Sequence, residues 1–274
     1  MSAQESGRER RVTVRELLEM KRRGDRIAVL TAYDVLFARL VDEAGVDVIL
    51  VGDSLGQVVL GLDSTLPVTI DDMIRHGAAV RRGVKRALVV VDMPFLTFQV
   101  SVEETVRNAG RIMKETGAEA VKLEGGDETV AEHVRALVRA GIPVMGHIGL
   151  TPQSVHALSG YRVQGRDEAN AERLRTEARR LEDAGCFSMV LELVPSVLAG
   201  DITRILTVPT IGIGAGPDTD GQVLVLPDML GLNEGFAPRF LRRFANLAEE
   251  TRRGIAGYVG EVRGGTYPDA DHSF

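Results

Sequence analysis

The stretch Ala120-Val121-Lys122-Leu123-Glu124-Gly125-Gly126 is an apolar run that carries two charges and ends at a pair of glycines. Two other stretches have the same form, an apolar run that ends in an acid: Val48-Ile49-Leu50-Val51-Gly52-Asp53-Ser54 and Leu88-Val89-Val90-Val91-Asp92-Met93-Pro94. A strand covered on both faces is a continuous apolar run, so an acid at its end needs a partner. The pattern therefore predicts buried parallel strands whose carboxyl ends carry Asp53, Asp92 and Glu124.

Strand-like and helix-like patterns alternate along the chain after an opening helix, which begins at a capping box, Thr13-Val14-Arg15-Glu16. The predicted strands lie near Ile27–Ala32, Val46–Gly52, Ala87–Asp92, Ala118–Glu124, Pro143–His147, Phe187–Leu193, Pro209–Ile213 and Gln222–Leu226. The predicted helices lie near Val35–Ala44, Asp71–Arg82, Val102–Thr116, Glu128–Ala140, Glu168–Ala184 and Val197–Leu206, with a weaker one after Gly216 and a last one at Phe240–Val259. This order predicts an α/β fold, a single (β/α)8 TIM barrel with an N-terminal helix. A doubly wound open sheet is the alternative.

We expect residues 1–274 to form one catalytic barrel domain, with residues 1–11 and 264–274 as flexible or arm-like tails. The net charge of −6 and the pI of about 5.5 argue against a nucleic-acid-binding surface. The chain has one cysteine, and its N-terminal segment lacks the apolar run of a signal peptide. No apolar stretch is long enough to span a bilayer. These features predict a cytoplasmic protein that binds neither nucleic acid nor membrane.

The three strand-end acids predict a metal site. Carboxylate oxygens from successive strands, completed by water or substrate oxygens, suit Mg²⁺ better than zinc. Asp53 and Asp92 have an alternative interpretation as turn or cap residues, since Asp is favoured there. Lys122 and Glu124 are two residues apart, so they share one face of their strand, which we expect to be the barrel interior. A buried ion pair is the alternative for these two, although such pairs stabilise a fold poorly.

Glu192 ends the sixth strand among apolar neighbours, which should disfavour its ionisation and suit a general base. A structural pairing is the alternative. Ser54 adjoins a proposed metal ligand and could donate to a bound carboxylate. His147 ends the fifth strand and is interpreted as a hydrogen-bonded core histidine. A hydrogen-bond partner of a site residue and a substrate contact are the alternatives. Cys186 begins a strand at the end away from the expected site and does not predict a nucleophile.

Two connections are too long for simple turns, Asp53 to Ile70 and Ile148 to Arg166. Both follow strands, so in a barrel they lie at the face where active sites form, and we interpret them as walls or a lid. Surface excursions or subunit contacts are the alternatives. The glycines of Gly212-Ile213-Gly214-Ala215-Gly216-Pro217 allow phosphate binding, but close backbone packing is preferred.

Six motifs stand out along the chain: Leu30-Thr31-Ala32-Tyr33-Asp34, Val51-Gly52-Asp53-Ser54-Leu55-Gly56, Asp63-Ser64-Thr65-Leu66-Pro67-Val68-Thr69, Val121-Lys122-Leu123-Glu124-Gly125-Gly126, Gly146-His147-Ile148-Gly149-Leu150-Thr151-Pro152-Gln153-Ser154 and Ile211-Gly212-Ile213-Gly214-Ala215-Gly216. Together they closely resemble the ketopantoate (3-methyl-2-oxobutanoate) hydroxymethyltransferase family, and the resemblance runs in order from about Thr13 to the terminal Phe274.

The resemblance implies a Mg²⁺-dependent barrel that transfers a hydroxymethyl group from its co-substrate 5,10-methylenetetrahydrofolate to 3-methyl-2-oxobutanoate, giving 2-dehydropantoate for pantothenate and coenzyme A biosynthesis. By the same resemblance Asp53, Asp92 and Glu124 hold the metal. Ser54 and Lys122 bind the oxoacid together with Asp53 and Asp92, and Glu192 accepts the proton. A cytoplasmic homo-oligomer, a decamer, is also implied.

Both arguments lead to one mechanistic hypothesis, in which Glu192 removes the C3 proton and Mg²⁺ with Lys122 stabilises the enolate. Arg162 or Arg166 in the second long loop either meets the folate glutamate tail or is a solvated surface arginine. A Mg²⁺-dependent C–C lyase or phosphoenolpyruvate-mutase-like enzyme is the alternative function, and a catalytically silent ligand-binding barrel is a further rival.

Overall fold

The computed structural model describes residues 11–274, which divide into two compact units, one ending at Val225 and the other running from Leu226 to Phe274. Of the tail expected at residues 1–11, all but Arg11 lies outside the described residues. The first unit contains all eight strands. That residues 1–274 act as one catalytic domain stays a prediction.

The strands of the first unit are all parallel and close into a barrel in chain order, with β1 paired to both β2 and β8. This arrangement confirms the predicted barrel and excludes the doubly wound open sheet. The strands are β1 (Ile27–Thr31), β2 (Val48–Val51), β3 (Leu88–Asp92), β4 (Ala120–Glu124), β5 (Val144–Gly149), β6 (Ser188–Glu192), β7 (Thr210–Ile213) and β8 (Gly221–Leu224).

The helices described in the first unit follow the predicted order, except that the short helix at Leu55–Val58, in the first long loop, was not predicted. They are α1 (Val14–Arg23), α2 (Val35–Glu43), α3 (Leu55–Val58), α4 (Ile70–Gly83), α5 (Val102–Thr116), α6 (Glu128–Arg139), α7 (Glu168–Ala184) and α8 (Ser196–Ile205), with a 3₁₀ turn at Pro152–Ser154. Local signals fix their ends. Thr13 accepts from the Glu16 N–H at the start of α1, and Ser101 accepts from the Glu104 N–H at the start of α5. Gly117 ends α5 with a left-handed φ of 75°.

The prediction of a weak helix after Gly216 is wrong. Residues 214–220 join β7 to β8 without any helix. Gly214 and Gly216 have left-handed φ values of 64° and 79°, and Pro217 has no N–H to donate. The chain in this connection turns too tightly to form a helical repeat.

Alternate residues of each strand point into the barrel and form its core. Leu88 and Val90 on β3 and Ala120 on β4 belong to one buried cluster, together with Leu17 and Met20 of α1. The predicted N-terminal helix is present, and it packs against the barrel interior. Because residues two apart point the same way, the inward row of each strand continues toward its carboxyl end.

The second unit holds α9 (Leu226–Met229), a long connection and α10 (Leu247–Gly264), followed by a 3₁₀ turn at Ala270–His272. The last helix was predicted at Phe240–Val259, but α10 begins seven residues later, so the predicted start is wrong. Arg243 explains the later start, because its guanidinium donates to the carbonyls of Asn233 and Glu234 and holds the preceding segment as a loop. The flexible tail expected at 264–274 stays a prediction.

Candidate functional site

The inward rows of four strands end in charged or titratable side chains. Asp92 continues the row of Val90, Lys122 and Glu124 continue that of Ala120, His147 continues that of Met145, and Glu192 continues that of Val190. Asp53 follows the end of β2 by two residues. The strand period therefore brings these side chains to the carboxyl-end mouth of the barrel, where barrel active sites form.

Lys122 lies at the centre of this cluster. Its Nζ is 3.1 Å from Asp92 Oδ1, 4.0 Å from Glu124 Oε1 and 3.0 Å from His147 Nδ1. Burial lowers the pKa of Lys122, but the charges of Asp92, Glu124 and Asp53 together hold it above its ordinary value. The lysine therefore stays protonated and donates to His147 Nδ1.

His147 links Lys122 to Glu192. Burial, and then the charge of Lys122, lower the pKa of the imidazole, so the ring is neutral. Because Nδ1 accepts from the ammonium, the ring proton belongs on Nε2. Glu192 Oε2 lies 3.3 Å from Nε2, at ion-pair distance but without the angle of a hydrogen bond. The imidazole Nε2 thus lies beside the carboxylate of Glu192 without a hydrogen bond to it.

Gln153 connects acids from two strands, and sequence reasoning missed it. Its side-chain amide donates to Asp53 Oδ2 at 2.8 Å and to the Met93 carbonyl at 3.0 Å, and its backbone N–H donates to Glu124 Oε2 at 2.9 Å. Gln99 Nε2 donates to its side-chain oxygen at 3.2 Å. A polar residue directly after Pro152 in a loop expected to border the site was the available signal.

Asp53 is also tied to Asp92, since its backbone N–H donates to Asp92 Oδ2 at 3.1 Å. Gly52 leaves little room here, since a Cβ at this position would lie 2.8 Å from Ser54 Oγ and 3.5 Å from Asp92 Oδ2. Ser54 Oγ lies 2.8 Å from the hydroxyl of Tyr33, a second residue that sequence reasoning missed. The serine hydroxyl is therefore held beside Asp53 at the edge of the cluster.

The acids share a surplus of negative charge. Burial raises the pKa of the Asp53 carboxyl to about 7, and the charge of Asp92 adds to the rise. Burial also raises the pKa of Glu124 well above its ordinary value, against the opposing charge of Lys122. Three carboxylates facing one ammonium favour the uptake of a proton or a cation.

The donor set fits a hard divalent cation by its chemistry. All the anionic donors are carboxylate oxygens, and Asp92 Oδ1 is fully buried without a hydrogen bond. The spacing is not a finished coordination shell, because no three Asp, Glu, His or Cys residues within 11–274 are grouped as a ready-made metal site. The Lys122 ammonium lies near both Asp92 and Glu124, so a positive charge already faces two of the three acids.

The second long loop borders the cluster, as expected for a wall. It supplies Gln153, and further along it the pKa of the Tyr161 hydroxyl is raised by burial and by the negative charges of the nearby acids. The first long loop contains α3 and a buried Thr65. Asp34, by contrast, caps α2 by accepting from the N–H groups of Leu36 and Phe37.

Two other features take structural parts. A Cβ at Gly216 would lie 2.3 Å from Ser196 Oγ, which supports the close-packing interpretation of the glycine-rich loop. Cys186 is buried, and burial raises the pKa of its thiol to about 12, so it is no nucleophile.

The chain is similar to known proteins over nearly its whole length. The family profile of ketopantoate hydroxymethyltransferase matches residues 11–270. A 3-methyl-2-oxobutanoate hydroxymethyltransferase of Thermobifida fusca (strain YX) is 59% identical over 265 residues, which are 97% of this chain and 94% of that protein. Its counterpart in Syntrophus aciditrophicus (strain SB) is 54% identical over 274 residues, 100% of both chains.

A more distant structure shares the fold alone. The phosphoenolpyruvate phosphomutase of Streptomyces platensis subsp. rosaceus superimposes with a TM-score of 0.62 at 14% identity, covering 95% of this chain and 91% of that one. No helix within residues 11–274 combines the length and the apolar character needed to cross a membrane. The profile match and the two full-length relatives settle the family: this chain belongs to the ketopantoate hydroxymethyltransferase family.

Proposed function

We propose that this chain catalyses transfer of a hydroxymethyl group from 5,10-methylenetetrahydrofolate to 3-methyl-2-oxobutanoate, giving 2-dehydropantoate for pantothenate and coenzyme A biosynthesis. Family membership supports this reaction. The structural observation that carries it is the buried, charged Lys122 among Asp53, Asp92 and Glu124 at the barrel mouth. Such a site suits a small anionic substrate whose reaction develops negative charge.

Asp53, Asp92 and Glu124 are the proposed ligands of a Mg²⁺ ion. When bound, the ion supplies Lewis-acid polarisation to the 2-oxo group of the substrate and offsets the surplus charge of the three acids. Gln153 holds two of these carboxylates through the hydrogen bonds to Asp53 and Glu124. Fixed ligands lower the reorganisation that binding requires.

Ser54 and Lys122 are the proposed oxoacid-binding residues, together with Asp53 and Asp92. The Ser54 hydroxyl donates to the substrate carboxylate, and Tyr33 keeps this hydroxyl in place. The Lys122 ammonium neutralises charge that develops on the substrate oxygen as C3 loses its proton. The buried environment excludes water and strengthens both interactions.

Glu192 is the proposed base. Its side chain is 19% exposed, whereas that of Glu124 is 3% exposed, so Glu192 is the acid that a substrate atom reaches most easily. It takes the C3 proton, and the electron pair of that C–H bond forms the enolate. The neutral His147 lies beside this carboxylate, with its Nε2 3.3 Å from Glu192 Oε2.

The rest of the reaction balances with one water. The C3 carbanion equivalent forms a bond to the methylene carbon of the folate, and both carbon–nitrogen bonds of that methylene group, to N5 and to N10, break. Water supplies the hydroxyl, and the C3 proton held by Glu192 and the second proton of the water pass to the two nitrogens. Tetrahydrofolate leaves. Assembly as a cytoplasmic homo-oligomer, a decamer, is a further part of the proposal and follows from family resemblance.

Product formation tests the proposal directly. The purified chain, 3-methyl-2-oxobutanoate, 5,10-methylenetetrahydrofolate and Mg²⁺ should yield 2-dehydropantoate, and a chelator should abolish the yield. Folate-independent breakdown of a 2-oxoacid would instead favour the alternative lyase function. Oxoacid binding without any turnover would favour the ligand-binding barrel.

A further inference from the structure

A cavity of about 460 Å³ lies beside the end of β6. Leu193, the residue directly after Glu192, forms one wall. The second long loop and the start of α7 form the rest, with Tyr161, Arg162, Arg166 and Asn170 among the lining residues. Its volume is in the range of small-molecule sites. No step of the mechanism above uses it.

The cavity is built onto the proposed catalytic strand. The Gln164 backbone N–H donates to the Leu193 carbonyl at 2.9 Å, which fixes the loop to the end of β6. Leu193 has a left-handed φ of 46°, unusual for a residue with a branched side chain. Gly165 fits closely behind the loop, where a Cβ would lie 2.6 Å from Leu198 Cδ2.

Tyr161 connects the cavity to the acids. Its ring lines the cavity, while burial raises the pKa of its hydroxyl and the charges of Glu192, Asp53 and Glu124 raise it further. Leu193, which also lines the cavity, directly follows Glu192, so the cavity lies next to the acid end of β6. A ligand in the cavity lies close to Glu192.

Two unpaired cations give the cavity its chemistry. Within residues 11–274 neither the Arg162 nor the Arg166 guanidinium makes a hydrogen bond or an ion pair. The one acid of the lining, Asp167, is already engaged, because it accepts from the backbone and the side chain of Asn170 at the start of α7. Two free guanidinium groups suit a ligand with carboxylates, which they can bind in a bidentate manner.

We propose that this cavity binds the benzoylglutamate arm of the reduced folate, with Arg162 and Arg166 paired to the glutamate carboxylates. The inference rests on the proposed function, since it assigns a place to that reaction's co-substrate. The folate must bring its methylene carbon to the substrate beside Glu192. An arm held against Leu193 and Tyr161 leaves the pterin end directed toward that position.

The test compares two ligands that differ only in the glutamate. Equilibrium binding of tetrahydrofolate and tetrahydropteroate is measured on the wild-type protein, on Arg162→Gln/Arg166→Gln, and on Arg179→Gln. Arg179 is a matched control, an exposed arginine of α7 that also lacks an ion pair and lines a different pocket. Circular dichroism and the melting temperature verify that each variant folds.

The wild-type protein should bind tetrahydrofolate at least about tenfold more tightly than tetrahydropteroate, and the double variant should lose that preference. Steady-state assays should show a raised KM for methylenetetrahydrofolate, with kcat and the oxoacid KM within about twofold of wild type. Arg179→Gln should behave as wild type. The proposal is overturned if the wild-type protein binds tetrahydrofolate no more tightly than tetrahydropteroate, or if the double variant keeps this preference. It is also overturned if the double variant loses affinity for both ligands equally.

These outcomes separate the two proposals. Binding is measured without turnover, so a glutamate preference that depends on the two arginines stands even if no 2-dehydropantoate forms. Product formation with no such preference leaves the proposed function intact and removes the cavity from it.

Discussion

Gln153 Nε2 donates a hydrogen bond to Asp53 Oδ2 at 2.8 Å, across a sequence separation of 100 residues. Because the backbone N–H of Gln153 also donates to Glu124, one loop residue fixes acids that follow two different strands. Gln153 is 5% exposed, so water does not replace these contacts easily.

Replacing Gln153 should therefore weaken the metal site. Gln153→Ala removes the side-chain donor to Asp53. We expect this variant to lower Mg²⁺ affinity by about tenfold or more, measured by calorimetric titration. Gln164→Ala serves as the control from the same loop. Wild-type affinity in Gln153→Ala would show that this hydrogen bond does not support the site.

Replacing Asp92 tests the ligand set more directly. Asp92→Asn keeps the shape of the side chain but removes its charge and one acceptor oxygen. Mg²⁺ affinity should fall by well over tenfold, about 1.4 kcal/mol or more. The matched control is Asp34→Asn, which retains a capping residue at α2. An unchanged Mg²⁺ titration would remove Asp92 from the coordination shell.

Metal affinity should also depend on pH. Burial raises the pKa of Asp53 from 3.8 to about 7, so below pH 7 a proton competes with the cation. We expect the apparent Mg²⁺ dissociation constant to rise by up to about tenfold for each pH unit below 7 and to level off above it. An Asp53→Asn variant should bind Mg²⁺ weakly, and its Mg²⁺ affinity should depend less on pH than that of the wild-type protein. A flat profile in the wild-type protein between pH 5.5 and pH 7 contradicts this assignment.

The raised pKa of Asp53 also makes the stability of the metal-free protein depend on pH. A carboxyl whose folded-state pKa is raised contributes stability that is fully present below its unfolded pKa and is lost as pH rises through the folded value. The metal-free protein should therefore lose melting temperature between about pH 4 and pH 7, the window set by the Asp53 shift. Added Mg²⁺ should restore most of that loss above pH 7.

Cys186 should be chemically silent in the folded protein. Burial raises the pKa of its thiol to about 12, which leaves almost no thiolate at neutral pH. We expect iodoacetamide to label it only after denaturation, with activity unchanged by treatment of the native protein. Rapid labelling with loss of activity would reopen a role for the thiol.

The fold was largely predictable because its signals are local. Continuous apolar runs, helix caps such as Ser101 and the glycine at position 117 mark element after element. The failures have local causes as well. The tight glycine turn after β7 excluded the expected helix, and the side chain of Arg243 holds a loop where the helical pattern begins early.

The site was predictable where strand period decides it. Lys122 and Glu124 share the inward face because they are two residues apart, and both are buried there. Gln153 and Tyr33 were not predictable in this way, because loop conformation decides their contacts. The hydrogen bond from Lys122 to His147 was not predictable either. It forms because β4 lies beside β5 in the barrel, and the sequence of one strand does not show which strand lies next to it.

Exchange of the C3 hydrogen of 3-methyl-2-oxobutanoate in heavy water, with Mg²⁺ and without folate, tests the central claim that Glu192 is the base. The wild-type protein and an exposed-acid control, Glu103→Gln, should exchange this hydrogen for deuterium. Glu192→Gln should slow exchange by about 10²–10⁴-fold while oxoacid binding stays measurable. Exchange at the wild-type rate in Glu192→Gln would contradict the account.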